Sequence, residues 1–262
     1  MKGTHAYPLV DSHAHLDFHD FDRDRETVLQ RAEAAGVELI INVGFDLDSS
    51  RKAVQLAARY STIYAAVGIH PHDAAAVPDD YLGQLEALAA APKVVALGEM
   101  GLDFYRDRSP RPQQKKVFRE QLALARRLDM PVILHDRDAH DGLMAILQKE
   151  GLPRAGGVLH CFSGDLSLAR EAMALGLYIS IAGPVTYPRN SVLRAVAAAV
   201  PAENLLLETD APFLAPGPWR GRRNEPAYVN ATAEAVASLR GCTAAELGSA
   251  CLANAKRLFL HY

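Results

Sequence analysis

Eight short apolar runs, separated by longer amphipathic segments, constrain this chain more than any other feature. They are Leu9–His13, Val37–Val43, Ile63–Ile69, Val94–Glu99, Val132–His135, Gly157–His160, Tyr178–Ile181 and Leu205–Thr209. Runs rich in β-branched residues that lack polar alternation suit parallel strands buried on both faces. Helix candidates lie between them at Asp22–Ala35, Ser49–Tyr60, Asp79–Ala90, Pro112–Leu128, Ala139–Lys149, Leu166–Leu175 and Arg189–Val200, with Pro226–Leu239 and Ala244–Phe259 closing the chain. Gly36 and Gly176 fall where helices should stop, Pro112 fits a first turn, and Thr243-Ala-Ala-Glu246 is a capping-box pattern. No linker, repeat or low-complexity tract interrupts the 262 residues. The expected fold class is therefore α/β, a (β/α)8 TIM barrel formed as a single domain over residues 1–262. An open doubly wound sheet is the alternative. It would more naturally carry a glycine-rich phosphate loop after the first strand, where this chain has Asp11-Ser-His-Ala-His15 instead.

In such a barrel the strand C-termini converge on one mouth. His13 and His15 close the first strand, His70 and His72 the third, Glu99 the fourth, His135 the fifth, His160 the sixth, and Glu208-Thr-Asp210 the eighth. A single histidine at a strand end is ordinarily a surface or hydrogen-bonded residue. So many imidazoles and carboxylates brought together are costly to bury without a cation, which predicts metal binding. Imidazole and carboxylate without thiolate suit Zn, Mn, Fe or Ni, and a carboxylate-bridged pair also suits Mg or Mn. The donors exceed what one tetrahedral ion with an open position needs, but they serve two ions about 4 Å apart sharing a bridging carboxylate. Glu99 is placed to be that bridge. Cys161, next to His160, is expected to face away from the mouth into the core. Asp11 and Asp17 are expected to orient the imidazoles or the adjoining loop rather than bind metal.

Composition narrows the setting. Charge is nearly balanced, with 28 Lys+Arg against 31 Asp+Glu, so any polyanion contact must rely on a local patch. The three cysteines, Cys161, Cys242 and Cys251, show no CxxC spacing and fit a reducing compartment, with cytoplasm the default. No apolar stretch approaches membrane-spanning length, and the N-terminus lacks a signal-peptide core. No obligate protein partner is indicated.

Seven segments, in order, resemble the TatD-type metal-dependent deoxyribonucleases of the amidohydrolase superfamily. They are Asp11-Ser-His-Ala-His-Leu-Asp17, Gly68-Ile-His-Pro-His72, Gly98-Glu-Met-Gly-Leu-Asp-Phe-Tyr105, Pro131-Val-Ile-Leu-His-Asp-Arg137, His160-Cys-Phe-Ser-Gly164, Glu208-Thr-Asp-Ala-Pro-Phe-Leu214 and Arg220-Gly-Arg-Arg-Asn-Glu-Pro226. The resemblance implies that His13, His15, Glu99 and Asp210 hold one metal and that Glu99, His135 and His160 hold another. The expected cofactors are two divalent ions, Zn, Mg or Mn. Ala14, where many relatives carry Cys, and Met100 depart from the pattern without touching a ligand position. The glutamate at strand four favours this branch over relatives that bridge their metals with a carboxylated lysine.

The resemblance also implies hydrolysis of DNA phosphodiesters by a two-metal-activated water, as a 3′-to-5′ exonuclease on single-stranded DNA. Asp210, with Glu99, is the catalytic candidate, positioning the water or taking its proton. His70 and His72 are candidates for contacting substrate phosphate; alternatively they form a proline-rigidified loop with satisfied imidazoles. Arg137, and Arg220, Arg222 and Arg223 after strand eight, form a candidate phosphate rim. The run Arg106–Lys116 either extends that rim or is a solvated loop and helix start. Phe104 and Tyr105 either stack on a base or pack under the loop. Two alternatives use the same metal centre: a small-molecule amidohydrolase acting on an ester, lactone or amide, and an aminoacyl-tRNA deacylase. A non-catalytic barrel fits poorly with an intact ligand set.

Overall fold

A computed structural model describes residues 7–260. Residues 1–6 and 261–262, the ends of the expected domain and part of the N-terminal segment read as lacking a signal core, lie outside the described residues. All eight expected strands form: β1 (Leu9–Ala14), β2 (Val37–Val43), β3 (Ile63–Val67), β4 (Val94–Asp103), β5 (Val132–Arg137), β6 (Gly157–Leu159), β7 (Leu177–Ile181) and β8 (Leu205–Leu207). They pair in sequence order, all parallel, in one eight-stranded sheet. The strands are sheathed by α1 (Arg25–Ala34), α2 (Leu47–Arg59), α3 (Tyr81–Ala89), α4 (Arg111–Leu128), α5 (His140–Glu150), α6 (Leu166–Ala174), α7 (Ser191–Ala199), α8 (Val229–Arg240) and α9 (Ala244–Phe259). The fold is a nearly closed (β/α)8 barrel.

Local chemistry sets the boundaries. The Thr243 hydroxyl accepts from Glu246 N while the Glu246 carboxylate accepts from Thr243 N, so both halves of the capping box start α9. Three short helical turns replace parts of expected elements or the loops beside them. Pro71–Asp73 lies past the end of β3, so His70 caps a turn instead of ending a strand. Pro226–Tyr228 precedes α8, and Gly183–Thr186 follows β7.

The seam between β1 and β8 is the weakest part of the sheet and the one most bound up with the site. It is joined by a single bridge, Ala14 to Ala211. Asp210 N donates to His13 O at 2.9 Å and His15 N to Ala211 O at 2.7 Å. Asp11, fully buried, reinforces it by accepting from Thr209 N at 2.9 Å and from the Thr209 hydroxyl at 2.6 Å. Burial pushes the Asp11 carboxyl up to about 8, against the pull of those Thr209 bonds. Outside the barrel, α9 covers this seam, with Asn254 Nδ2 donating to Leu205 O at 2.9 Å and to Ala202 O at 2.7 Å. Apolar faces of strands and helices form the continuous core, with Leu9, Ile40, Ile63 and Leu97 among its fully buried side chains. Each such side chain contributes about 1.5–3 kcal/mol relative to exposure. Among the described residues, no helix is long and apolar enough to cross a membrane.

Candidate metal centre and active site

β4 continues through the site past Glu99 by way of a register shift between Leu97 and Met100, and glycines let it do so. Gly98, at φ +148°, has no room for a side chain: a Cβ there would lie 2.6 Å from Ile133 O on β5. The neighbouring Glu99 carboxylate thereby reaches the barrel axis, where it is buried and its two oxygens face different imidazoles. Oε2 lies 3.5 Å from His13 Nε2 and 3.8 Å from His15 Nε2. Oε1 lies 2.7 Å from His135 Nδ1 and 2.8 Å from His160 Nε2.

The first group is completed by Asp210, whose Oδ1 sits 3.7 Å from His13 Nε2 and 3.5 Å from His15 Nε2; the two ring nitrogens are 3.2 Å apart. Asp210 reaches in from a left-handed backbone, φ +57°, that an aspartate tolerates better than most residues. His13 Nε2 and His15 Nε2 thus each lie 3.2 to 3.8 Å from the other, from Glu99 Oε2 and from Asp210 Oδ1, spacings close to those between ligand atoms that share one zinc ion. The tautomer of His15 fits as well. Its Nδ1 donates to Val43 O at 2.7 Å, leaving the Nε2 lone pair aimed at the cluster.

The second group is held from behind by carboxylates. His135 Nε2 lies 3.2 Å from Asp103 Oδ2, which also takes His72 Nε2 at 2.9 Å, while Asp103 Oδ1 accepts from Arg106 N at 2.7 Å and Tyr105 N at 3.0 Å. Burial opposes the Asp103 charge, but the His135 and Arg106 hydrogen bonds outweigh it and keep the carboxyl well below its usual range. Glu208, fully buried, accepts from Cys161 N at 2.7 Å and places Oε1 3.4 Å from His160 Nδ1. His160 Nδ1, Glu208 Oε2 and His13 Nδ1 are buried without a hydrogen-bond partner.

The field of the cluster asks for a cation. Burial raises the Glu99 carboxyl, yet the surrounding imidazoles, His160 first, hold it well below its usual range. Burial pulls His15 down, yet the Asp210 hydrogen bond and the two carboxylates lift it to about 9. A site that draws protons onto buried imidazoles draws a divalent ion onto the same atoms. The donor set therefore fits a metal, and His13, His15, Glu99, His135, His160 and Asp210 supply clustered donor atoms that could hold it.

His70 is different. Its Nδ1 accepts from His72 N at 3.0 Å, which puts the ring proton on Nε2, 3.4 Å from Glu99 Oε1. Burial depresses it to about 4, so the ring is neutral at physiological pH and serves as a donor. Asp11 and Asp17 stay outside the ligand cluster. Asp11 ties the seam, and Asp17 accepts from Asn42 Nδ2 at 2.9 Å while Asn42 Oδ1 accepts from Leu16 N at 2.5 Å, fixing the loop after β1.

Above the cluster opens a cavity of about 770 Å3. His72, Arg106, Arg108 and Arg137 line it, and Arg137 stacks 4.1 Å over the exposed Tyr105 ring. Arg220 and Arg223 do not line this cavity. Arg220 covers Tyr187 at 4.8 Å, and Arg223 forks onto Asp24 at 2.8 and 2.7 Å and caps Asp20 O at 2.5 Å. Phe104 lies under Arg111, 4.3 Å from its guanidinium carbon, as the packing alternative expects. Arg111, further along the same basic run, pairs with Asp107 at 3.0 Å. Cys161 is a correction. β6 ends at Leu159, so strand alternation does not reach Cys161, which turns at φ +44° and lines the cavity instead of entering the core. Burial first, then the carboxylates of Asp210 and Glu208, push its thiol well above the usual range, so it is a neutral thiol. Asp103, Asn42 and the His70 tautomer were not singled out from sequence; the signal for Asp103 was its place in the Gly98–Tyr105 motif.

Residues 10–260 match the model of the family described as TatD related DNase. The chain belongs to that family. As a TatD-family member it is a metal-dependent hydrolase. It is 46% identical over 251 residues to an uncharacterized metal-dependent hydrolase, YabD, of Bacillus subtilis, covering 96% of this chain and 98% of the relative. Another relative, from Cronobacter sakazakii, is named a 3′-5′ ssDNA/RNA exonuclease TatD; it is 46% identical over 248 residues, covering 92% of this chain and 93% of its own length. The solved structure of the TatD homolog YjjV of Escherichia coli superposes with a TM-score of 0.92 at 39% identity, over 97% of this chain and 98% of that one.

Proposed function

We propose that this TatD-family hydrolase removes nucleotides from the 3′ end of single-stranded DNA, using two divalent ions, Zn, Mg or Mn, that share Glu99. The observation that carries the reading is the division of the Glu99 carboxylate, with one oxygen toward His13 and His15 and the other toward His135 and His160. The exonuclease name of the Cronobacter relative supports the substrate. Ions held by these residues would supply Lewis acidity and would lower the pKa of a water at the reacting phosphorus.

The chain's own residues do the rest. Asp210 Oδ1 faces the cluster and accepts the proton of the attacking water. The His70 Nε2–H donates to a phosphoryl oxygen, and its neutrality keeps it a donor that does not compete with the ions. His72 is held by Asp103 at the cavity wall, where it and Arg137 meet the phosphate, Arg137 with a guanidinium fork suited to phosphate oxygens. Arg220 and Arg223 serve the loop that closes this wall rather than substrate. Three free thiols agree with a cytoplasmic setting.

The test is cleavage of end-labelled single- and double-stranded DNA after metal removal and separate restoration of Mg, Mn or Zn. A ladder shortening from the 3′ end of the single strand is expected. No cleavage with any of the metals would turn the reading toward an ester, lactone or amide substrate, or an aminoacyl-tRNA.

A further inference from the structure

The cavity above the ligand cluster has two chemically opposite walls. On the side of β4 and β5 stand Arg106, Arg108 and Arg137, together with Asp136, which is engaged by His140 Nδ1 at 2.7 Å, and Asp138. Across the mouth, from the loops after β8, β1 and β2, stand Phe213, Phe18 and Phe45. The three phenyl rings form one group, with Phe18 5.5 Å from Phe213 at 79° and 5.9 Å from Phe45. Both Phe45 and Phe213 also pack edge-on against the ligand His15, at 5.8 and 6.2 Å.

Phe213 is 46% exposed, beside Leu214 at 38% and Val192 at 54% on the same rim. A lone exposed apolar residue means little, but a run of them on the lip of a reaction cavity calls for an occupant. The ring is also held in place. Phe213 N donates to Asp210 O at 2.8 Å, and Asn224 Nδ2 donates to Phe213 O at 2.7 Å and to Thr209 O at 2.8 Å. The backbone that positions the ligand Asp210 therefore also positions the Phe213 ring, three residues on.

An occupant that bridges these walls needs a flat apolar group at one end, anionic charge at the other, and its reacting bond between them over the cluster. A nucleotide at the end of a strand has that layout. We infer that Phe213, backed by Phe18, stacks on the base of the terminal nucleotide, while Arg106, Arg108 and Arg137 hold the phosphates of the strand leading away. The inference rests on the nucleic-acid reading above and adds its specificity element: the base must leave its pairing partner to reach Phe213, so the wall selects unpaired ends. Stacking on an aromatic side chain is insensitive to which base is present, and the arginines act through charge, so the selection is for an end rather than a sequence.

The experiment compares kcat/KM for two single-stranded oligonucleotides that differ only in the 3′-terminal residue, a normal nucleotide or a tetrahydrofuran abasic residue, using wild type, Phe213→Ala and Phe213→Trp. Thermal melting and bound-metal content of each variant are measured alongside. Wild type is expected to favour the complete end by about tenfold to a hundredfold, the range stacking supplies. Phe213→Ala should bring the ratio of the two substrates close to one, and Phe213→Trp should restore it. Equal wild-type rates on the two ends, or an alanine variant that slows both substrates in proportion, would overturn the stacking role. A wild type that cuts neither oligonucleotide would overturn the nuclease reading and this inference with it.

Discussion

Glu99 gains its role from where its two oxygens go, not from its charge alone. Because one faces His13 and His15 and the other His135 and His160, removing the carboxylate should weaken both halves of the centre together. Glu99→Ala should bind fewer divalent ions per chain than wild type by elemental analysis, and should lose at least about a thousandfold in activity if the ions supply the main charge stabilisation. Asp210→Asn is a cleaner change because it preserves size and backbone. It should cost about a hundredfold to ten-thousandfold in kcat at saturating metal, the range of a lost general base, with the metal-free protein keeping the wild-type melting profile. An active variant would remove Asp210 from the proton transfer. The candidate ligand positions were legible in sequence because each follows an apolar strand run, and the barrel makes those runs converge. Asp103 was not, because the strand was expected to stop at Glu99. β4 continues four residues further through a register shift between Leu97 and Met100, and that extension puts Asp103 behind His72 and His135.

The connecting loops separate residues that serve the site from residues that hold the frame. Arg223 resembles a phosphate contact in sequence, yet its guanidinium ties the loop after β8 to Asp24, the residue that precedes α1. Sequence supplies the arginine but not the distant aspartate that occupies it. Arg223→Ala should lower stability by about 0.5–1 kcal/mol, after allowance for solvent screening of a partly exposed pair, and leave oligonucleotide affinity unchanged. The pH dependence has a definite sign. The Arg223 hydrogen bond holds the Asp24 carboxyl below its ordinary value, so the pair's contribution is full above about pH 4, the unfolded aspartate range, and is lost as pH falls through the lower folded value. Melting curves of wild type and variant should differ at neutral pH and converge in acid; a constant gap would contradict the pairing. On β4, Gly98→Ala should lower the melting temperature and reduce bound metal together, because a Cβ at φ +148° meets Ile133 O and displaces the neighbouring Glu99. Cys161 illustrates the converse limit: a three-residue β6 ends before the alternation could carry its side chain to the core.

At the scale of the whole molecule, the barrel was readable because its strands are apolar runs with helical segments between them, and parallel order follows from that alternation. The particular bonds that close it were not, since the β1–β8 seam depends on Asp11 reaching Thr209 across almost the full length of the chain. That seam carries His13, His15 and Asp210, so an ion held by these residues would couple its binding to barrel closure. Chelation should lower the melting temperature while the secondary structure persists at room temperature, and restored metal should raise it in proportion to the logarithm of its concentration. The central claim, a centre of two ions bridged by Glu99, is tested most directly by anomalous diffraction from crystals of the metal-loaded enzyme. The account predicts two anomalous peaks, one within bonding distance of Glu99 Oε2, His13, His15 and Asp210, the other of Glu99 Oε1, His135 and His160. A single fully occupied peak, with Glu99 bound to it alone or turned away, would contradict it.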